Sequence, residues 1–507
     1  MEIPFPSFPV LFTFLLFLFM VSKIISKTKS LTRNLPPGPW KLPLIGNMHQ
    51  FVGSQPHHCL RDLAMKHGPL MHLQLGELSI VVISSAETAK EVMKTHDIIF
   101  ANRPCLLTSS IVSYGSTNIS FAPYGDYWRQ LRKICIMELL SIKRVQSFRF
   151  IREEEVSNLI KSISTDTGLP LNLSKKISVS TSNIIARVAF GKKCKDQEAF
   201  LSLVKEINKL AAGFDVADLF PSVKLLHLIT GLRPKVEKIH REIDKILDNI
   251  IDDHKAKKVA AKIHDVEADD DLVDVLVKIQ EFHDPEFLLT INNIKAVLLD
   301  IFIAGSETSS TTIEWAMSEM LKNPRVMEKA QAKVRQVFGK KGNNVDEADL
   351  SELRYLKLVI KETLRFHPPL PLLLPRECKE GCQINGYEIP IKSKVIINAW
   401  AIGRDPEHWI DAESFDPERF LDNSIDFKGA HFQYIPFGAG RRICPGISFG
   451  VPNIELPLAQ LLYHFDWKLA DGVKLGDLDM TEGFGTTVRR KRDLYLIPNA
   501  SHPSPGE

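Results

Sequence analysis

The sequence predicts a mainly α-helical protein with minor β structure, built as one large domain behind a single N-terminal transmembrane helix. Three observations lead there. An uncharged apolar run fills the first turns of the chain, from Ile3 to Ser22. Most longer segments after it repeat apolar residues at helical spacing. Strand-like alternation is confined to two short stretches, near residues 71–83 and 383–397. No repeat or low-complexity tract divides the 507 residues.

The elements follow in chain order. As a helix, Ile3 to Ser22 would span roughly 30 Å, the hydrocarbon thickness of a bilayer. Pro4, Pro6 and Pro9 leave its first turns irregular. Lys23, Lys27, Lys29 and Arg33 follow at once, so the positive-inside rule leaves the remaining chain in the cytosol. The competing reading is a cleaved signal peptide. A missing basic n-region and the absence of a small-residue cleavage site disfavour it. Cytosolic placement makes the sequons at Asn118, Asn172 and Asn499 coincidental. Residues 1–22 are thus expected to form the anchor and 23–39 a basic, proline-rich linker, with a catalytic domain over 40–507. Pro36-Pro37-Gly38-Pro39 in the linker cannot be helical and reads as a stiff spacer.

Met71 to Leu75 alternates, Gly76-Glu77 punctuates and Ile80 to Ile83 follows, which predicts a β-hairpin. Trp128 and Arg132 lie four apart, on one face of a basic helix. Helical spacing covers Glu153 to Ile163, Val236 to Ile251, Asn293 to Met317 and Glu352 to Phe366. Asp252 to Asp271 is rich in both charges and reads as a mobile surface connection. Within the apolar Asn293–Met317 helix, Ala304-Gly305-Ser306-Glu307-Thr308 places a glycine where it costs about 1 kcal/mol relative to alanine. Alone, this is a helix-packing notch or a functional interruption. Glu362 and Arg365, three apart, can pair on one helix face. A short sheet is expected from Gln383 to Ile397, turning at Asn385-Gly386.

The most informative segment is Phe437-Gly438-Ala439-Gly440-Arg441-Arg442-Ile443-Cys444-Pro445-Gly446. Its glycines permit left-handed backbone and close approach to a flat ligand, and Pro445 stiffens the exit. Arg442 offers a planar fork suited to a carboxylate. A thiolate beside such cations has a lowered pKa and can ligate a metal. The other six cysteines (59, 105, 135, 194, 378 and 382) are irregularly spaced, which suits a reducing compartment rather than a disulfide framework. Cys378 and Cys382 lack the companions of a zinc site. Lys+Arg at 64 against Asp+Glu at 61 gives a formal charge of +3, which argues against nucleic acid as a partner.

The spacing F-x-x-G-x-R-x-C-x-G resembles the haem-ligand loop of the cytochromes P450, whose cysteine thiolate is the proximal iron ligand. The resemblance spans residues 36 to 446 in the family's order, starting at the proline-rich hinge. It implies the cytochrome P450 fold, a large helical haem domain with small β-sheets. It implies haem b ligated through Cys444, with Phe437 in the haem-binding loop and Trp128, Arg132, Arg376 and Arg442 as propionate partners. A-G-x-(D/E)-T at 304–308 is similar to the family's oxygen-activation motif. There Thr308 would handle the proton used in catalysis and Glu307 would supply it from solvent, although many relatives carry Asp at that position. Glu362, Arg365 and Arg419 of Pro417-Glu418-Arg419-Phe420 would form a buried structural triad. No G-x-G-x-x-G unit for a nicotinamide or flavin is present, so electrons would come from an NADPH–cytochrome P450 reductase docking near Arg441. O2 and a small apolar molecule would be the substrates.

PPGPWKLPLIGN, PYGDYWRQLRKIC and PFGAGRRICPG look like plant microsomal enzymes that oxidise terpenoids. The expected place is the endoplasmic reticulum membrane, single-pass, with the catalytic domain in the cytosol and in contact with lipid. Pocket walls are expected from Cys105–Ser120, Ala211–Leu219, Leu299–Ile303, Leu370–Leu374 and Phe484–Val488. Charges are scarce beside their leucines and isoleucines, which favours a bulky apolar ligand, a sesquiterpene or diterpene. An alkaloid or phenolic substrate is the alternative. A reductase-independent haem isomerase and a non-catalytic haem-binding protein are disfavoured by Thr308 and Glu307.

Overall fold

A computed structural model of the chain describes residues 34–192, 197–211, 215–223, 226, 230–264, 270–281, 287–339, 347–470 and 475–502. The expected anchor at 1–22 and most of the linker lie outside these residues. Among the described residues no helix is long and apolar enough to cross a membrane.

The centre of the molecule is one long helix, Ile291–Lys322. It starts at a capping box: the Asn293 N–H donates to Thr290 Oγ1 and the Thr290 N–H donates back to Asn293 Oδ1 at 3.0 Å. It stops at Asn323, where Pro324 opens the next helix, Pro324–Phe338. Ile294 to Phe302 and Ile313 to Leu321 are almost wholly buried, as expected of a helix surrounded by others. Leu173–Phe190, Arg354–Phe366 and Ile447–His464 pack against it.

The strands are peripheral. β1 (Leu70–Leu75) and β2 (Leu78–Ile83) form the hairpin expected at 71–83. The stiff segment at 36–39 lies on its edge. The His72 N–H donates to the Pro37 carbonyl, and a Cβ at Gly38 would come within 2.1 Å of the His72 oxygen. The second expected sheet splits in two. β5 (Cys382–Ile384) and β6 (Tyr387–Ile389) pair across Asn385-Gly386, whose φ values of 48° and 78° fit the tight turn. β7 (Lys394–Ile397) instead leaves to run parallel to β2, with β4 (Arg376–Glu377) antiparallel on its other edge. A third sheet joins β3 (Leu171–Asn172), β9 (Tyr495–Ala500) and β8 (Phe465–Leu469) and has no counterpart in the sequence reading.

One expectation is corrected. The charged stretch from Asp252 is helical as far as His264, continuing a helix that starts at Leu232. Ile251 and His254 are buried while Asp252, Asp253, Lys255 and Lys257 face outward, so the charges mark a solvated helix face. The His254 ring donates to the Ile250 carbonyl and meets Asp271 Oδ2 at 2.7 Å, tying the helix end to the next element.

Candidate functional site

The loop at 437–446 is held from both sides. The Cys444 N–H donates to the Phe437 carbonyl at 3.0 Å, closing the turn. Gly438 and Gly440 both have left-handed backbone, with φ of +70° and +69°. A Cβ at Gly440 would lie 2.1 Å from the Met93 carbonyl oxygen, so only glycine fits there. Asp97 then grips the loop by accepting from the Arg441 N–H at 2.8 Å. Phe437 packs edge-on to Phe427 and lines the same cavity as Cys444.

The cysteine departs from its expected electrostatics. Burial pushes the Cys444 thiol pKa up, and the Gly446 N–H and the Arg132 charge offset this only in part. The neighbouring arginines explain why. Arg441 is half exposed and pairs with Asp97, while Arg442 turns its guanidinium to the carbonyls of Ala101, Ile119 and Ala122. A bound cation is what would hold this sulfur as thiolate.

Four guanidiniums, of Arg103, Arg132, Arg376 and Arg442, line that cavity of about 240 Å³. Arg376 has a carboxylate partner, Asp97 at 3.2 Å, and also donates to the Ala439 carbonyl. Arg132 donates to the Ile443 carbonyl; Arg103 donates to those of Ser120, Leu374 and Pro375. Burial lowers the pKa of all four; repulsion from the other arginines adds to it at Arg103 and Arg442, whereas anionic neighbours offset it in part at Arg132 and Arg376. Arg442 is pushed down to about 9. Buried positive charge in this excess calls for anionic groups in the cavity. Trp128 does not reach the cavity wall. Its N–H donates to the Ile119 carbonyl at 2.9 Å, and its ring carries the Arg442 guanidinium at 4.1 Å and that of Arg132 at 5.4 Å. It is a platform beneath the arginines. Arg103 and Asp97 were not singled out in the sequence, since no local spacing relates them to the cysteine loop.

The central helix lines the same cavity with Asp300, Ala304 and Thr308, four apart and therefore on one face. Thr308 donates its hydroxyl to the Ala304 carbonyl at 2.6 Å. Gly305 lies at the crossing with Leu173–Phe190, where a Cβ would come within 2.9 Å of Ile185 Cδ1. Packing and function thus coincide at this glycine. Glu307 does not line this cavity and lies partly buried beside Asn208; burial raises its pKa, while Asn208, Arg489 and Lys205 pull it down. Asp300, inside the expected Leu299–Ile303 wall but given no role there, is partly buried and raised to about 6 by desolvation, although Ser120 donates to it through both its N–H (3.0 Å) and its hydroxyl (2.7 Å).

Behind the loop, Glu362, Arg365 and Arg419 come together as expected. Arg365 Nε meets Glu362 Oε2 at 2.7 Å, and Arg419 Nε meets Oε1 at 3.0 Å. Glu362 and Arg365 have no side-chain exposure, so the pair is a core feature and not a solvated surface one.

A second cavity of about 280 Å³ adjoins the first, sharing Ser120, Asp300, Ala304 and Thr308 with it. All five expected wall segments contribute, including Leu370 to Leu374 and Phe484 to Val488; residues 212–214 lie outside the described set. Phe302 turns into the core instead, against Phe200 at 4.7 Å. Charge is scarce along this wall, as expected, and is limited to Asp218, Asp300 and Lys394 among the described residues.

Sequence comparison decides what this arrangement is, since the cytochrome P450 family model matches residues 36–495. The chain belongs to the cytochrome P450 family. A desmethyl-deoxy-podophyllotoxin synthase of Sinopodophyllum hexandrum is 59% identical over 500 residues, covering 98% of this chain and 97% of the relative. A premnaspirodiene oxygenase of Hyoscyamus muticus is 54% identical over 494 residues, covering 97% and 98%. A solved zebra fish cytochrome P450 bound to abiraterone superposes with a TM-score of 0.75 at 23% identity, covering 89% of this chain and 100% of that one, and attests the fold. This cytochrome P450 is therefore a haem monooxygenase. The cavity fits the cofactor: a half-buried sulfur lines it, and the guanidiniums supply the positive charge that its two carboxylates need.

Proposed function

We propose that the chain hydroxylates an apolar plant secondary metabolite, a sesquiterpene or diterpene, using O2 and electrons from NADPH delivered by a cytochrome P450 reductase. The observation that carries this reading is the joined pair of cavities. A predominantly apolar chamber shares Thr308 and Ala304 with the cavity that Cys444 and the arginines line. The relative named for premnaspirodiene oxygenation supports a terpenoid, and the one named for desmethyl-deoxy-podophyllotoxin keeps the alkaloid or phenolic alternative in view.

In this reading Cys444 would ligate the haem iron, and Arg132, Arg376, Arg442 and Arg103 would neutralise its propionates. Trp128 keeps two of those guanidiniums in place. Bound haem supplies reductive activation of O2, and thiolate ligation favours O–O cleavage. The chain's own part is to seat the substrate, exclude water and move protons. Thr308 Oγ1, now donating to Ala304, is placed to pass a proton into the cavity after rotating away from that carbonyl. Glu307, with its raised pKa, is the partly buried group one residue away that reloads it. Residues 1–22 would anchor the enzyme in the endoplasmic reticulum membrane, leaving Arg441 and the proximal face to the reductase in the cytosol.

The test is incubation of microsomes containing the full chain and a reductase with sesquiterpenes, diterpenes, alkaloids and phenolics, followed by product analysis. NADPH-dependent hydroxylation of a terpene is the expected result. Turnover that proceeds without NADPH would overturn the monooxygenase cycle in favour of an isomerase. Turnover of alkaloids or phenolics alone would overturn the substrate class.

A further inference from the structure

Among the described residues, the substrate chamber has one lysine in its lining, Lys394, and its ammonium makes no hydrogen bond. Lys394 stands on β7, and with Ile396, two residues along and so on the same strand face, it lines the chamber wall. It is partly buried, and among the described residues its side chain makes no hydrogen bond or ion pair. Two carboxylates lie near enough to act on it, yet each is engaged elsewhere. Glu377, its cross-strand partner on β4, accepts from Asn102 Nδ2 at 2.9 Å. Asp218 accepts from the Leu107 N–H at 2.9 Å. Burial pushes the Lys394 pKa down, and Asp218, Glu377 and Cys105 pull it back only in part. A partly desolvated ammonium with no hydrogen-bond acceptor is costly, and a ligand that brings an acceptor removes that cost.

We infer that Lys394 is a specificity-determining residue that selects, among apolar ring skeletons, those bearing an oxygen acceptor such as a ketone, hydroxyl or carboxylate. This deepens the proposed function and rests on its reading of the chamber as the substrate site. The skeleton lies along the leucines of 370–374, and its oxygen meets Lys394 on the β7 wall. That contact fixes which carbon faces Thr308. The preferred substrate on this account is an already oxygenated molecule, so a reaction that installs the oxygen function precedes this one.

The experiment uses the haem-loaded full chain and the ligand-induced change in haem absorption, which reads binding without turnover. The probes share one skeleton: decalin, 2-decalone and decalin-2-carboxylic acid. The wild type is expected to bind the ketone and the acid more tightly than the hydrocarbon. Lys394→Met should weaken both by about 10-fold or more, as expected for a lost hydrogen bond to a charged donor, and leave decalin within about twofold. Lys394→Arg should restore the preference. Equal binding of all three probes by the wild type, or a uniform loss in Lys394→Met, overturns the role of Lys394 and leaves the chamber reading intact. Absence of any response to all three overturns the chamber reading itself.

Discussion

Removing the charge of Glu362 should cost more than any other single polar substitution in the core. Its carboxylate accepts from Arg365 Nε at 2.7 Å and Nη2 at 2.8 Å, from Arg419 Nε at 3.0 Å and from the Asp416 N–H at 2.8 Å. It is the one carboxylate facing two guanidiniums there, because the remaining donors of Arg365 go to the carbonyls of Gly403, Ala412 and Ser414. Glu362→Gln keeps the shape but turns one acceptor into a donor against a guanidinium and strands the positive charge. Breaking a buried pair in this way costs about 3–5 kcal/mol. Against a typical total of about 5–15 kcal/mol, that is enough to leave much of the protein unfolded or without haem. The assay is urea unfolding followed by tryptophan fluorescence, together with the fraction of chain recovered with haem. The Glu362→Gln, Arg365→Met double variant should be destabilised by about 0.5–3 kcal/mol less than the sum of the two single changes, since fewer charges are stranded. A Glu362→Gln variant within about 1 kcal/mol of wild type, or strict additivity, would refute the argument that this triad is a buried charge network.

Three further outcomes follow from the geometry. Burial opposes the charged form of the His254 ring, but Asp271 at 2.7 Å and the Ile250 carbonyl outweigh it and raise its pKa. Its contribution is therefore full below the ordinary histidine value of about 6.5 and fades as pH rises through the higher folded value, and Asp271→Asn should flatten that part of the stability–pH curve. Gly440→Ala should destabilise by at least about 2 kcal/mol, through left-handed strain plus the clash with Met93, whereas Gly438→Ala meets only ordinary contacts and should cost about 1–2 kcal/mol; thermal inactivation of the two variants compares them. Thr308→Ala should cut product formation about 100-fold or more while NADPH is still consumed, the electrons appearing as hydrogen peroxide; unchanged product per NADPH would remove Thr308 from proton transfer.

What was legible in the sequence was what short spacings encode. The β1–β2 hairpin, the Asn385-Gly386 turn, the central helix and the Cys444 loop all rest on residues within ten positions of each other, where turn chemistry and periodicity act directly. The Glu362–Arg365–Arg419 cluster was legible only through the family resemblance, because its third member lies far along the chain. The roles of Asp97, Arg103 and Asp300 are illegible for the same reason, although Asp300 falls in an expected pocket wall: each depends on a partner more than a hundred residues away. The β7 strand was placed in the wrong sheet because its partner β2 is equally remote, and periodicity carries no information about pairing. At 252–264 phase is a better guide than composition: the segment is rich in charge, yet Ile251 and His254 keep the helical phase. Lys394 was passed over because β-strand alternation shows which face a lysine takes, but not that a ligand chamber lies there.

The account turns on Cys444 as the thiolate ligand of a bound haem. The most direct measurement is the absorption of the reduced, carbon monoxide-treated protein, wild type against Cys444→Ala, with folding of both followed by circular dichroism. The wild type should show the band characteristic of thiolate-ligated haem, and the folded variant should lack it. A folded Cys444→Ala variant that retains that band would contradict the account at its root.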